Sequence, residues 1–173
     1  MKHAAKLFAA LFAVLYCAAF TAQQKTITLN TSVTSQPYSE RSAQDRLPQS
    51  HDPVWKILMA TKISQDKKTG FYAITATPEI KKLVGTQITI TGFILPLEEK
   101  EKFHHLILSR RTPVCAFCPP GEPNEIIDVM LTEPMLWEDN LVSITGKFEL
   151  INNAEKGIFF HLSDAHKNDG KKQ

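Results

Sequence analysis

The segment QITITGFIL, Gln87 to Leu95, alternates with a period of two. Ile88, Ile90 and Ile94 fall on one face, and Thr89, Thr91 and Phe93 on the other, the pattern of a strand with one buried side. A second segment repeats the design. LVSITGKFEL, Leu141 to Leu150, places Val142, Ile144, Phe148 and Leu150 together, opposite Ser143, Thr145, Lys147 and Glu149. Each segment carries a glycine after its ITG echo, Gly92 and Gly146. A glycine late in a long strand marks a bulge or sharp bend, and strands that close into a small barrel must bend.

Working outward, HHLILSR (His104 to Arg110), EIIDVML (Glu125 to Leu131) and GIFFHLS (Gly157 to Ser163) are further strand signals. Ile158, Phe160 and Leu162 share a face in the last of these, which turns His161 outward. If Leu106 and Leu108 face inward, His104 shares their side and His105 points out. Upstream, VWKILMATKI reads as a strand, because Lys56 and Lys62 have the parity opposite to Trp55, Ile57 and Met59. QDKKTG then makes a turn into FYAITAT. Thr77 caps a short helix with Pro78 at its first position, and Gly85 ends it. TEPMLWED reads as a second helical turn. About five strands with these insertions predict a mainly β fold, a small OB-like β-barrel with short helical insertions; a β-sandwich is the alternative.

The ends differ in composition from this block. Lys2 and Lys6 precede an apolar run, Leu7 to Tyr16, and then Ala18, Ala19 and Ala22. That order is the pattern of a secretory signal, expected over 1–22, and the run is too short for a comfortable transmembrane helix. The mature chain is therefore expected to be exported and periplasmic, with no transmembrane helix. A lipid anchor at Cys17 is the alternative, disfavoured by the bulky Tyr16 just before it. Residues 23–52 are polar and read as a flexible tether, 53–163 as the barrel domain, and 164–173 as a disordered, Lys-rich tail. A net charge of +2 over 173 residues gives no basic footprint for nucleic acid, and none is expected as a partner.

The chemistry-bearing stretch is RTPVCAFCPPGEPNEI, Arg111 to Ile126, with two cysteines and four prolines. A Cys-x-x-Cys pair serves redox exchange, haem attachment or metal binding, or forms a local disulfide. Redox exchange usually sets the first thiol at a helix N-terminus; Pro119, Pro120 and Pro123 prevent that helix. Haem attachment needs a histidine after the second cysteine, where Pro119 stands. Two thiolates at this spacing suit zinc or monovalent copper, completed by histidine. Candidate metal ligands are Cys115, Cys118, His104, His105 and His161, with Glu122, Glu125 and Asp128 as further oxygen donors. His51 and His166 lie in the expected tether and tail. A Cys115–Cys118 disulfide bracing a stiff loop competes with the metal reading on equal terms. LEEKEK, Leu97 to Lys102, reads as a solvated charged turn. There is no nucleophile elbow, P-loop or H-E-x-x-H, so no enzyme activity is expected.

Gly92 to Glu98 (GFILPLE), HLILSR, CAFCPPGEPNEIIDV and VSITGKFEL, in that order, resemble an exported bacterial family known as a domain of unknown function, number three-two-nine-nine. The resemblance spans about Trp55 to Leu162 and rests in the loop on Cys115, Pro119, Pro120, Pro123, Asn124 and Glu125. It implies an envelope component, with a transporter connection and metal handling as suspected roles. Many members are similar except for a Cys-His pair in this loop; here Ala116 takes the histidine position and Cys118 supplies a second thiol. Two functions are thus expected to compete: an exported metal-binding or metal-handling protein, and a non-enzymatic accessory module of an envelope or transporter complex with a disulfide-braced loop. A thiol-disulfide oxidoreductase is third.

Overall fold

Five strands close into a barrel in the order β3-β4-β5-β7-β6, and the two echoing strands are neighbours in it. The structure, a computed structural model, describes residues 38–114 and 120–170. The barrel strands are β3 (Gln87–Pro96), β4 (Lys102–Ser109), β5 (Ile126–Leu136), β6 (Val142–Asn153) and β7 (Ile158–Lys167). All neighbours pair antiparallel except β5 and β7, which are parallel. Before the barrel come helices α1 (Tyr38–Gln44) and α2 (Pro53–Met59), the hairpin β1 (Lys62–Gln65) and β2 (Tyr72–Thr75), and helix α3 (Pro78–Leu83). This is the small OB-like barrel that the strand pattern predicts.

The two-residue period fills the interior. Ile88, Ile90, Ile94, Leu106, Leu108, Ile127, Val129, Val142, Ile144, Phe148, Phe160 and Leu162 are all buried in one core. Phe148 and Phe160 stack within it, their ring centres 5.8 Å apart. Trp55 and Leu58 of α2 and Ile80 of α3 join the same core.

Both glycines of the echo sit where a ladder breaks. β3 pairs with β6 up to Gly92↔Val142, and with β4 from Phe93↔Ser109 onward. At this crossing point a Cβ on Gly92 would lie 2.7 Å from the Ser109 carbonyl oxygen and 2.9 Å from Leu108 Cγ. Gly146 lies at a register shift between β6 and β7, and a Cβ there would meet Ala165 Cβ at 2.9 Å. The strands approach too closely at both points for a side chain.

Before that crossing point β3 has no β4 partner, and the chain ahead of α2 takes its place. Thr91 N–H donates to Asp52 (2.9 Å), and its carbonyl accepts from Ser50 Oγ (2.5 Å) and Trp55 Nε1 (2.7 Å). Asp52 also caps α2 through Val54 N–H. The backbone of β3 at Thr91 is thereby satisfied rather than left open.

Several local expectations need correction. Residues 54–59 are helical, not a strand: Asp52 caps, Pro53 opens the helix, and Trp55 and Leu58 share its buried face at i, i+3. TEPMLWED is not a helical turn; β5 continues through it to Leu136, paired with β4 at Lys102↔Leu136. From Tyr38 onward the expected tether is ordered on the barrel, with Gln44 and Ser50 buried. The expected tail contributes Asp164 to Lys167 to β7, with Ala165 fully buried. Polar composition misled in both places because these segments bury only a few residues, Gln44, Ser50 and Ala165 among them, and leave most of the rest exposed. The signal segment, Cys17 and the first part of the tether lie outside the described residues. Among those described, no helix is long and apolar enough to cross a membrane.

Candidate functional site

The outer face of β4, β5 and β7 carries a polar constellation of two histidines and a carboxylate. Outward positions on these strands bring three titratable residues into register: Asp128 pairs with His161 across β5 and β7, and with Ile107, two residues from His105, across β5 and β4. The Asp128 carboxylate accepts from His105 Nε2 at 2.6 Å and from His161 Nδ1 at 2.8 Å. One carboxylate thus orients two imidazoles. Their other nitrogens, His105 Nδ1 and His161 Nε2, have no hydrogen-bond partner among the described residues. The group is partly shielded: the side chains are 35%, 14% and 17% exposed for His105, Asp128 and His161.

A bulge decides which histidine takes part. The β4–β5 register shifts between Phe103 and His105. Phe103 therefore turns into the core while His105 still faces out. His104, expected to face inward with Leu106 and Leu108, is instead the extra residue of the bulge. It is half-buried and its Nδ1 donates to the Leu131 carbonyl at 3.2 Å. It does not join the Asp128 group.

Glu98 holds the bulge in place. Its Oε2 accepts from the backbone N–H of His104 (2.7 Å) and of His105 (3.1 Å), and Oε1 pairs with Lys100. The Lys100 ammonium, followed by these two amides, holds its carboxyl down at a pKa of about 2. Glu98 is thus no idle member of a solvated turn; it fixes the backbone that aims His105.

The base of the Cys/Pro loop is built as a second polar cluster around Glu125, which is 4% exposed. Its carboxylate accepts from Arg41 (2.8 Å), Arg110 (2.9 Å), Arg111 (2.9 Å) and the Glu122 N–H (3.1 Å). Burial alone would raise its pKa; the Glu122 amide and the three guanidiniums outweigh burial and hold it below the ordinary range. Arg111 is similarly divided: burial opposes its charge, but Glu125 and Asp45 favour it and its pKa is raised. Gln44, fully buried, clamps both sides of the loop, donating to the Thr112 and Pro120 carbonyls at 2.9 Å each. Ser109 Oγ also donates to the Pro120 carbonyl, at 3.2 Å. Asn124 reaches back to the carbonyls of Met59 and Thr61. The loop therefore leaves the barrel from a braced base, and Glu125 and Asn124 are parts of that brace.

A family model for a protein of unknown function (DUF3299) matches residues 22–158. The chain belongs to the DUF3299 family. A crystal structure of a DUF3299 family protein from Pseudomonas aeruginosa PAO1 is similar at 19% identity, covering 57% of this chain and 70% of that one, with a TM-score of 0.43. Among curated proteins, none matches the chain.

In this DUF3299 member, the sequence candidates do not converge on one place. His105, His161 and Asp128 come together; His104 lies apart, and Glu125 is consumed by arginines. His51 is exposed beside α2, and His166 is exposed in β7. Cys115 and Cys118 lie outside the described residues. Among the described residues, no three His, Cys, Asp or Glu side chains are arranged around a point that could hold a metal ion. Sequence reasoning passed over Gln44 and the arginine cluster. Both act through long-range contacts, 68 and 76 residues apart in the case of Gln44, and no local pattern announces them.

Proposed function

We propose that this protein binds and hands over a soft or borderline transition metal, zinc or monovalent copper, with Cys115 and Cys118 as thiolate ligands and His105 or His161 completing the set. The observation that carries the reading is the shared carboxylate of Asp128. A metal-binding histidine commonly donates its second ring N–H to a carboxylate, which fixes the ring and raises the basicity of the free nitrogen. His105 and His161 each have that partner, and each keeps one nitrogen without a hydrogen-bond partner among the described residues.

The loop's position supports the same reading. Pro120 is held at Ser109, on the outer face of β4 that also carries His105. Two peptide units separate Cys118 from Pro120 in the sequence, a reach of at most about 7 Å. In OB-type barrels the face of the second and third strands, here β4 and β5, is the usual ligand face. Fold likeness alone assigns no ligand; the reading rests on the proposed donor set.

Cobalt titration of the reduced protein tests the proposal, since thiolate ligation gives intense charge-transfer bands. One equivalent should bind with those bands. The bands should vanish in the Cys115→Ser, Cys118→Ser double variant, and affinity should fall in His161→Ala. Unchanged tight binding in the double variant would refute the assignment.

A second reading rests on the braced loop. The Glu125 cluster and the Gln44 clamp suit a loop displayed as a contact surface of an envelope or transporter complex, closed by a Cys115–Cys118 disulfide. Thiol counting on protein extracted without reductant separates the two. A fully oxidised pair favours the contact loop, and a reduced pair protected by metal favours the metal site.

A further inference from the structure

Trp137 is 55% exposed at the end of β5, beside an open cleft of about 520 Å³. Three chain segments meet there: the second half of β3, the first side of the Cys/Pro loop, and the β5–β6 connection. Ten large apolar residues are exposed among those described, and five of them belong to these segments or their immediate neighbours: Leu97, Val114, Leu136, Trp137 and Leu141. Of these, Val114 and Trp137 line the cleft itself; scattered exposed apolar residues need no explanation, but exposed apolar side chains lining a cleft suit a binding partner.

The rim is acidic. Glu138 and Asp139 line the cleft. Lys167 pairs with Glu138 at 2.5 Å and with Asp169 at 3.3 Å, and Asp139 has no ion pair among the described residues. Lys167 thus compensates Glu138 and Asp169 but not Asp139. An indole beside an uncompensated carboxylate is a site for a cation, which the ring face and the charge attract together. Pro96 and Pro113, also in the lining, have no backbone N–H. A bound chain is therefore held by its side chains rather than by strand addition.

We propose that this cleft docks an extended segment of a partner protein, with apolar side chains on the cleft floor and a Lys or Arg at Asp139 and Trp137. An anionic lipid surface does not fit the acidic rim. The proposal deepens the contact-surface reading and is independent of the metal reading. It places the partner against the first side of the Cys/Pro loop.

The protein carries its own reporter. It has two tryptophans; Trp55 is 1% exposed, so only Trp137 should respond to a ligand. Tryptophan emission and acrylamide quenching are followed while the full mature protein is titrated with capped peptides Phe-Lys-Leu-Lys-Phe, Phe-Ser-Leu-Ser-Phe and Phe-Glu-Leu-Glu-Phe. The lysine peptide should shift Trp137 emission to the blue and protect it from quencher, saturably. It should bind at least tenfold more tightly than the glutamate peptide, weaken with added salt, and lose most of that preference in Asp139→Asn. Equal response to all three peptides, or no response, overturns the proposal. So does a Trp137 already protected in the free protein, which would mean that the chain's own segment or a second copy fills the cleft; sedimentation velocity tells these apart. Thiol counting is untouched by any of these outcomes, so the disulfide-braced loop stands or falls separately.

Discussion

Glu98 shows how one surface carboxylate can govern a site it does not belong to. It holds two amides at the β4 bulge, and the bulge aims His105 at Asp128. Its pKa lies near 2 in place of 4.5. A depressed carboxyl stabilises the fold above its unfolded value and loses that contribution as pH falls through the folded one. Glu98→Gln should therefore flatten the acid limb of stability between about pH 4.5 and 2, read as urea midpoints above and below that window. Glu125 has the same sign, but it is buried against three guanidiniums. Glu125→Gln leaves those charges without their partner and should cost on the order of 3 kcal/mol in denaturant unfolding. It should also open the Cys/Pro loop to protease. At the proposed metal site, Asp128→Asn keeps the shape but weakens the orienting of both rings; cobalt affinity should fall roughly 10- to 100-fold.

At the scale of elements, capping and close approach set the boundaries. Thr77 Oγ1 accepts from Ile80 N–H, and Pro78 opens α3 at its first position, as the sequence implied. Thr77→Ala should cost about 1 kcal/mol in thermal or urea unfolding. Gly92 is a stricter requirement. A methyl there meets the Ser109 backbone and Leu108 at the point where β3 changes partner. Gly92→Ala should destabilise by about 1–3 kcal/mol through overpacking. Gly70 offers the contrast of open space but a φ of +75°, so alanine there is opposed by backbone conformation alone. α2 was misread as a strand because Trp55, Ile57 and Met59 recur at a spacing of two with Lys56 between them; the buried pair, Trp55 and Leu58, follows the helical spacing instead. TEPMLWED was read as a helical turn, yet β5 runs on to Leu136; the strand tolerates Glu133 and Pro134 there, since that stretch is exposed except for Met135.

Across the whole molecule, the barrel brings together residues that the chain keeps far apart. Asp128 meets His161 over 33 positions, Arg41 meets Glu125 over 84, and Gln44 meets Pro120 over 76. The sequence by itself determined the alternating strands, the inward set of Ile, Val, Leu and Phe, the two glycine bends and the capped helix after β2. These are local: a two-residue period or a cap depends on residues within one turn or one strand, and burial enforces it. It also showed that His105 and His161 point outward, by parity alone. Only the tertiary structure decided that those two histidines share one carboxylate, that His104 is turned aside by a bulge, and that a polar stretch read as tether becomes the brace of the Cys/Pro loop. Those outcomes depend on register between strands and on docking of α1, and both are fixed by the sum of many contacts distant in sequence, not by any pattern within one segment.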